Sequence, residues 1–170
     1  MSFSYKEFPK DVFDSFSPLI EKHNLSKTFK GDYFVQLTGK KVVLQFEFDR
    51  GDLFCEIKKK GDDFKFALWQ VYEFLFPVSQ KKNESKDYSK ADLKFYCELL
   101  NNEMESIMLG DFSWYNELKK EIEYESSLIA VIYGPEMDYE HPISQKFWKG
   151  DKSWKSDMED FIKQKGIKLK

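Results

Sequence analysis

Apolar positions along the chain repeat with two periods, and the change from one to the other divides the sequence. Between Pro9 and His23, the residues Val12, Phe13, Phe16, Leu19, Ile20 and His23 fall three and four apart, which is one face of a helix. Pro18 lies inside that span. Proline removes a helical hydrogen bond and clashes with the preceding turn, so a kink or restart is predicted there with Ser17 as N-cap. From Asp32 onward the period becomes two. Tyr33, Val35 and Leu37 alternate with Phe34, Gln36 and Thr38 up to a turn at Gly39-Lys40. Lys41 to Asp49 repeats the pattern, with Val42, Leu44, Phe46 and Phe48 on one face. After Arg50-Gly51-Asp52, Leu53, Cys55 and Ile57 alternate with Phe54, Glu56 and Lys58. Three strands with short connections form an antiparallel meander, and Phe64-Lys65-Phe66 can begin a fourth. One sheet face needs a cover, which the flanking helices can supply.

Helical spacing returns in the second half. Over Ala67 to Phe76, Leu68, Val71, Tyr72 and Leu75 share a helical stripe that Pro77 stops, with a strand as the alternative. Val78 to Lys90 has lysines and serines without periodic apolar partners, and a mobile loop is expected there. Ser89 or Asp92 can cap a long helix through Leu93, Tyr96, Cys97, Leu100, Met104, Ile107 and Met108, ending at Gly110. Another helix runs through Trp114, Tyr115, Leu118 and Ile122. Ser126 to Tyr133 either continues it or forms a β-branched strand, and Gly134-Pro135 stops either one. An acidic loop, Glu136 to Pro142, leads to a last helix over 151–165 with Trp154, Met158, Phe161 and Ile162 inward and Gly166 as terminator. The expectation is one α+β domain over 1–170: a meander of three to four strands packed by an N-terminal helix and a C-terminal helical half.

Composition narrows the function classes. Aromatic residues make up 18% of the chain, led by 17 Phe, so the core is built largely of rings. Charged residues make up 34% with a net charge of only -3, which argues against a general nucleic-acid binder. Leu128 to Tyr133 is the longest apolar run, too short for a membrane span. The N-terminal residues lack the basic-then-apolar pattern of a secretory signal, so a cytoplasmic location is expected. Cys55 and Cys97 have no Cys or His at metal-ligand spacing and read as free buried thiols.

No catalytic constellation emerges. His141 lies near Asp138 and Glu140, but the spacing fits no compact metal site, and His23 reads as a partly buried or C-terminal helix histidine interacting with the dipole. Neither a nucleophile elbow, a phosphate-binding glycine loop nor a reactive-cysteine context occurs. Arg50-Gly51-Asp52 spells an adhesion tripeptide, yet it sits where a hairpin turn is required. Trp148 to Lys155 interleaves rings and lysines, but Asp151 and Asp157 intervene and Trp154 is needed inside. No cofactor, metal or enzymatic activity is expected.

The second half also carries an acidic excess. Asp111, Glu117, Glu121, Glu123 and Glu125 outnumber Lys119 and Lys120, and Glu136, Asp138 and Glu140 follow. An ordinary solvated helix face would look the same. The functional reading is a docking surface for a basic protein, steered by complementary charge and anchored by exposed rings at Trp114, Tyr115 or Tyr139. The partner-binding candidates are therefore Asp111, Trp114, Tyr115, Glu117, Glu121, Glu125, Asp138, Tyr139 and Glu140.

The first half has a further association. The helix carrying Phe13, Phe16, Leu19 and Ile20, followed by Asp32-Tyr33-Phe34-Val35-Gln36-Leu37, Val42 to Asp49 and Leu53-Phe54-Cys55-Glu56-Ile57, resembles small bacterial immunity proteins of polymorphic and contact-dependent toxin systems. The resemblance spans about Phe13 to Phe76 and rests on hydrophobic pattern. It implies a cytoplasmic, non-enzymatic protein that neutralises a cognate toxin by binding it, and it transfers no binding residue. The alternative expectation is a small enzyme or small-molecule binder with an aromatic-lined pocket between sheet and helices.

Overall fold

The computed structural model describes residues 7–77 and 90–169. By contacts the chain falls into two compact units, Met1–Ser113 and Trp114–Lys170. The first unit is α+β, as expected, and the second is helical.

In the first unit the predicted N-terminal helix is two: α1 (Phe8–Ser15) and α2 (Ser17–His23). The break falls at Phe16. Pro18 is accommodated in the first turn of α2, where its missing N–H is not needed. Ser17 is not the N-cap as predicted. It is the first residue of α2, and its hydroxyl donates to the carbonyl of Asp14 at 3.0 Å.

The strands are β1 (Ser26–Lys30), β2 (Phe34–Thr38), β3 (Val42–Asp49), β4 (Asp52–Lys59) and β5 (Phe66–Ala67), a single antiparallel meander in chain order. β2 to β4 match the predicted strands, and β5 is a two-residue strand at the end of Phe64-Lys65-Phe66. β1 was not foreseen. All five of its residues are exposed, so no apolar alternation marks it, and only pairing with β2 makes it a strand. On the inner face, Leu37, Leu44, Ile57 and Phe66 form one cross-strand row and Val35, Phe46 and Cys55 the next. Both rows are buried. Phe16 meets Phe46 edge-on with ring centroids 4.6 Å apart, and Phe8 stacks on Phe48 at 5.6 Å. The cover is thus supplied by the N-terminal helices. On the opposite face Gln36, Gln45 and Glu56 form a polar row, with the Gln45 amide donating to Gln36 Oε1 at 2.9 Å.

The β3–β4 connection is a two-residue hairpin turn, Arg50-Gly51, with φ of 52° and 98°. Two successive positive φ values match the right-handed twist of the flanking strands, and Asp49 then pairs with Asp52. The Arg50-Gly51-Asp52 tripeptide is therefore a turn entering β4.

α3 (Leu68–Leu75) begins where the Gln70 side chain accepts from the Ala67 N–H at 3.1 Å. The predicted mobile loop 78–90 lies outside the described residues, as does Ser89, except at Lys90, which begins α4 (Lys90–Asn101). Asp92 lies in the first turn of α4 and not at the cap. The long helix expected up to Gly110 is interrupted: α5 (Glu105–Met108) is separate. Asn101-Asn102 are poor helix formers that compete for backbone hydrogen bonds, and the Met104 N–H closes α4 by bonding the Leu99 carbonyl at 2.9 Å. α4 packs on α1 and α2.

The second unit comprises α6 (Tyr115–Ile132), α7 (Pro142–Trp148) and α8 (Trp154–Lys165). The choice left open over Ser126 to Tyr133 resolves as helix. Leu128 and Ile132 extend the inward stripe of Tyr115 and Leu118, and Gly134-Pro135 follows the end as predicted. α7 was not foreseen because Ile143 and Phe147 supply only two periodic apolar residues. Its start is nonetheless clear in hindsight: Pro142 opens the helix and His141 Nδ1 accepts from the Ile143 N–H at 3.3 Å. α8 starts three residues later than predicted, after a turn in which Asp151 accepts from the Ser153 N–H at 3.0 Å. Leu128, Ile132, Met137, Ile143, Trp154 and Met158 form the core of this unit. No helix among the described residues is long and apolar enough to cross a membrane.

Candidate functional site

The most exposed large side chains of the second unit belong to one cluster. Tyr133 caps the C-terminal end of α6, Tyr139 lies in the acidic loop and Trp148 ends α7, with exposures of 66%, 67% and 47%. Trp148 lies 5.6 Å from Tyr133 and 6.2 Å from Tyr139 between ring centroids. Beneath them, Phe147 touches both Tyr133 and Trp148 and reaches inward to Trp154 at 5.1 Å. The patch is thus exposed aromatic surface fixed to a buried core. Single exposed rings are ordinary, but adjoining ones mark an interaction surface.

The loop carrying Tyr139 is held at both ends. Gln145 of α7 donates to the Tyr139 carbonyl at 2.8 Å, and Met137 is buried in the core. Between and beside these anchors Glu136, Asp138 and Glu140 are exposed. Acidic side chains therefore adjoin Tyr139 along the loop, and the rings can bind apolar stems and cationic heads together.

The remaining predicted residues are placed differently. Trp114 and Tyr115, expected as exposed anchors, are buried, at 5% and 8% exposure. Asp111 belongs to the first unit. Its carboxyl lies below its ordinary pKa because the Ser113 backbone N–H, 3.0 Å away, and then its hydroxyl donate to it, which makes it a turn-forming residue. Glu125 falls on the flank of the inward stripe of α6 and pairs with Lys155 of α8 at 2.8 Å. Beside it the Tyr124 hydroxyl donates to Glu159 at 3.0 Å, so this part of α6 is a helix–helix junction. Glu117 and Glu121 are exposed one turn apart, and Glu123 lies 3.8 Å from Lys119. Of the predicted set, the structure sets Tyr139 against Trp148, which also meets Tyr133, and Asp138 and Glu140 flank Tyr139 along the loop. Tyr133 and Trp148 were missed as anchors because helical spacing assigns rings to the core and does not say which ones the fold leaves outside.

The residues weighed for chemistry are occupied structurally. His141 caps α7 and packs its ring edge-on against Phe161 at 5.2 Å. His23 ends α2, half-buried, and its pKa is lowered, chiefly by burial and then by Lys22, with Glu105 opposing. Its Nε2 is buried without a hydrogen-bond partner among the described residues. Cys55 and Cys97 are free and buried, and burial is the main cause that raises both thiols. Among the described residues no group of three or more His, Cys, Asp or Glu side chains is placed to hold a metal ion. Comparison of the chain with protein-family models, with curated proteins and with solved structures gives no match in any of the three.

Proposed function

We propose that the chain is a non-enzymatic protein-binding module whose second unit docks a basic protein partner on Tyr133, Tyr139 and Trp148. The observation that carries this reading is the contact of Trp148 with both Tyr133 and Tyr139, three large rings that are nonetheless open to solvent. Aromatic side chains supply most of the energy in protein interfaces, while charges at the rim steer the encounter. The exposed Glu136, Asp138 and Glu140 select a partner bearing Lys or Arg, whose cations can also lie over the ring faces.

The resemblance of the first half to immunity proteins gives this module a biological form: neutralisation of a cognate basic toxin domain in the bacterial cytoplasm by occlusion. The test is co-purification with the product of the adjacent gene, followed by titration of the purified pair. Binding that weakens with salt and drops at least about tenfold in Trp148→Ala, a loss of about 1.4 kcal/mol, supports the reading. Binding that is indifferent to both Trp148→Ala and Tyr139→Ala overturns it. A neighbouring gene with no toxin domain removes the immunity form.

A further inference from the structure

We propose that the first unit holds a binding site for a small anion carrying two or more phosphate groups, at the end of the sheet where the β2–β3 turn meets the end of β4. Lys40, Lys41, Lys59 and Lys60 line a concavity of about 470 Å³ together with Gly110 and Phe112. That volume lies within the range of small-molecule sites.

The backbone fixes how these lysines meet. Val42 pairs with Lys59, and the Lys60 N–H donates to the Lys41 carbonyl at 2.7 Å, so Lys41 and Lys60 stand opposite each other just beyond the paired strands. The Lys60 ammonium is tied to the Gly39 carbonyl at 3.2 Å. Gly110 has φ of 103°, and a Cβ there would lie 2.9 Å from Lys41 Cγ. A glycine at that point lets the aliphatic stem of Lys41 lie against the backbone. Lys59 stands over the Phe112 ring at 6.0 Å from its centroid.

Like charges facing each other across strands destabilise a sheet. Among the described residues none of the four lysines forms an ion pair with a carboxylate, and the contacts of Lys60 with the Gly39 carbonyl and of Lys59 with the Phe112 ring leave both charges in place. Local rules of this kind are broken chiefly at functional sites, and an anion would supply the missing charge here. Lysine ammoniums act as point charges toward phosphate, and two or more phosphate groups are needed to engage four of them. A nucleic-acid track would require a basic surplus and a succession of stacking rings, whereas the chain has net charge -3 and this concavity has one ring, Phe112.

Calorimetric titration of the full chain with inorganic tripolyphosphate, ATP and sulfate tests the site. Tripolyphosphate is expected to bind at least about tenfold more tightly than sulfate, and Lys41→Gln/Lys60→Gln to weaken it by about tenfold or more. The same double variant, without ligand, is expected to melt no lower than wild type, because it removes repulsion. ATP binding more tightly than tripolyphosphate, with the difference abolished in Phe112→Ala, would extend the site to a nucleotide. Equal binding of sulfate and tripolyphosphate, an unchanged affinity in the double variant, or an affinity for oligonucleotides that grows with their length would each overturn the proposal.

Discussion

Phe16 sits at the break between α1 and α2, and its ring meets Phe46 in the centre of β3 edge-on, with centroids 4.6 Å apart and both side chains fully buried. The residue that interrupts the helix is thus also the one that fastens it to the sheet. Phe46→Ala is expected to cost about 3–5 kcal/mol of unfolding free energy. A double-mutant cycle with Phe16→Ala should show about 0.5–1.5 kcal/mol of coupling from the ring contact. Urea unfolding of the four proteins measures both, and additive losses would mean that the rings contribute only their separate burial.

Arg50 occupies the left-handed region at φ 52° with a side chain open to solvent, and its ion pair with Asp49 spans 4.0 Å. That pair is worth little, while the backbone conformation disfavours any residue with an ordinary Cβ. Arg50→Asn should raise the unfolding free energy by about 0.5–1 kcal/mol, since Asn-Gly is the preferred sequence for this turn. Thermal or denaturant unfolding decides the sign.

The aromatic patch separates into supporting and presenting rings. Tyr139→Ala should alter stability by no more than about 0.5 kcal/mol, because the side chain is largely exposed. Phe147→Ala should cost about 2 kcal/mol, because that ring joins Trp148 to the buried Trp154. Partner binding should reverse the order at Tyr139, with affinity lost while the melting curve is unmoved.

Both cysteines are buried, and burial favours the neutral thiol over the nucleophilic thiolate. Native protein at neutral pH should therefore react with a thiol reagent only as fast as it opens, and two thiols should titrate in denaturant. Rapid modification of either in the native state would contradict the packing of β4 or α4.

His23 gives a pH signature. Burial lowers its pKa below the ordinary 6.5, aided by Lys22 and opposed by Glu105, so the fold favours the neutral imidazole. A lowered folded value means that the unfolded chain takes up the proton first as pH falls. The stabilisation is complete above 6.5 and is lost as pH drops through the lower folded value. Melting temperature should decline over that window in wild type and flatten in His23→Gln. Glu105, held below its ordinary 4.5 by Lys22 through a hydrogen bond and its charge, contributes a separate loss at more acid pH that this variant retains.

The sequence by itself determined the elements whose burial is periodic. Alternation placed Val35 to Ile57 as paired strands, and Arg50-Gly51 required a turn between two of them. The three-and-four spacing of α8 marked its inner face, and Cys55 and Cys97 were legible as packed thiols from their neighbours alone. In each case the signal is local, because a residue's face follows from its position in the repeat.

Tertiary structure decided what pairing and packing create. β1 exists because β2 offers it an edge, and α7 because His141 and Pro142 can start a helix over the core of the second unit. The candidate site was half legible. Asp138, Tyr139 and Glu140 could be read as a loop that faces solvent, but exposure of Tyr133 and Trp148, and burial of Trp114 and Tyr115, depend on which flank of each helix is covered. Composition assigns rings to a core without fixing how much room the core has. Likewise, Gly39-Lys40-Lys41 and Lys58-Lys59-Lys60-Gly61 lie far apart along the chain, and only the antiparallel register sets Lys41 against Lys60.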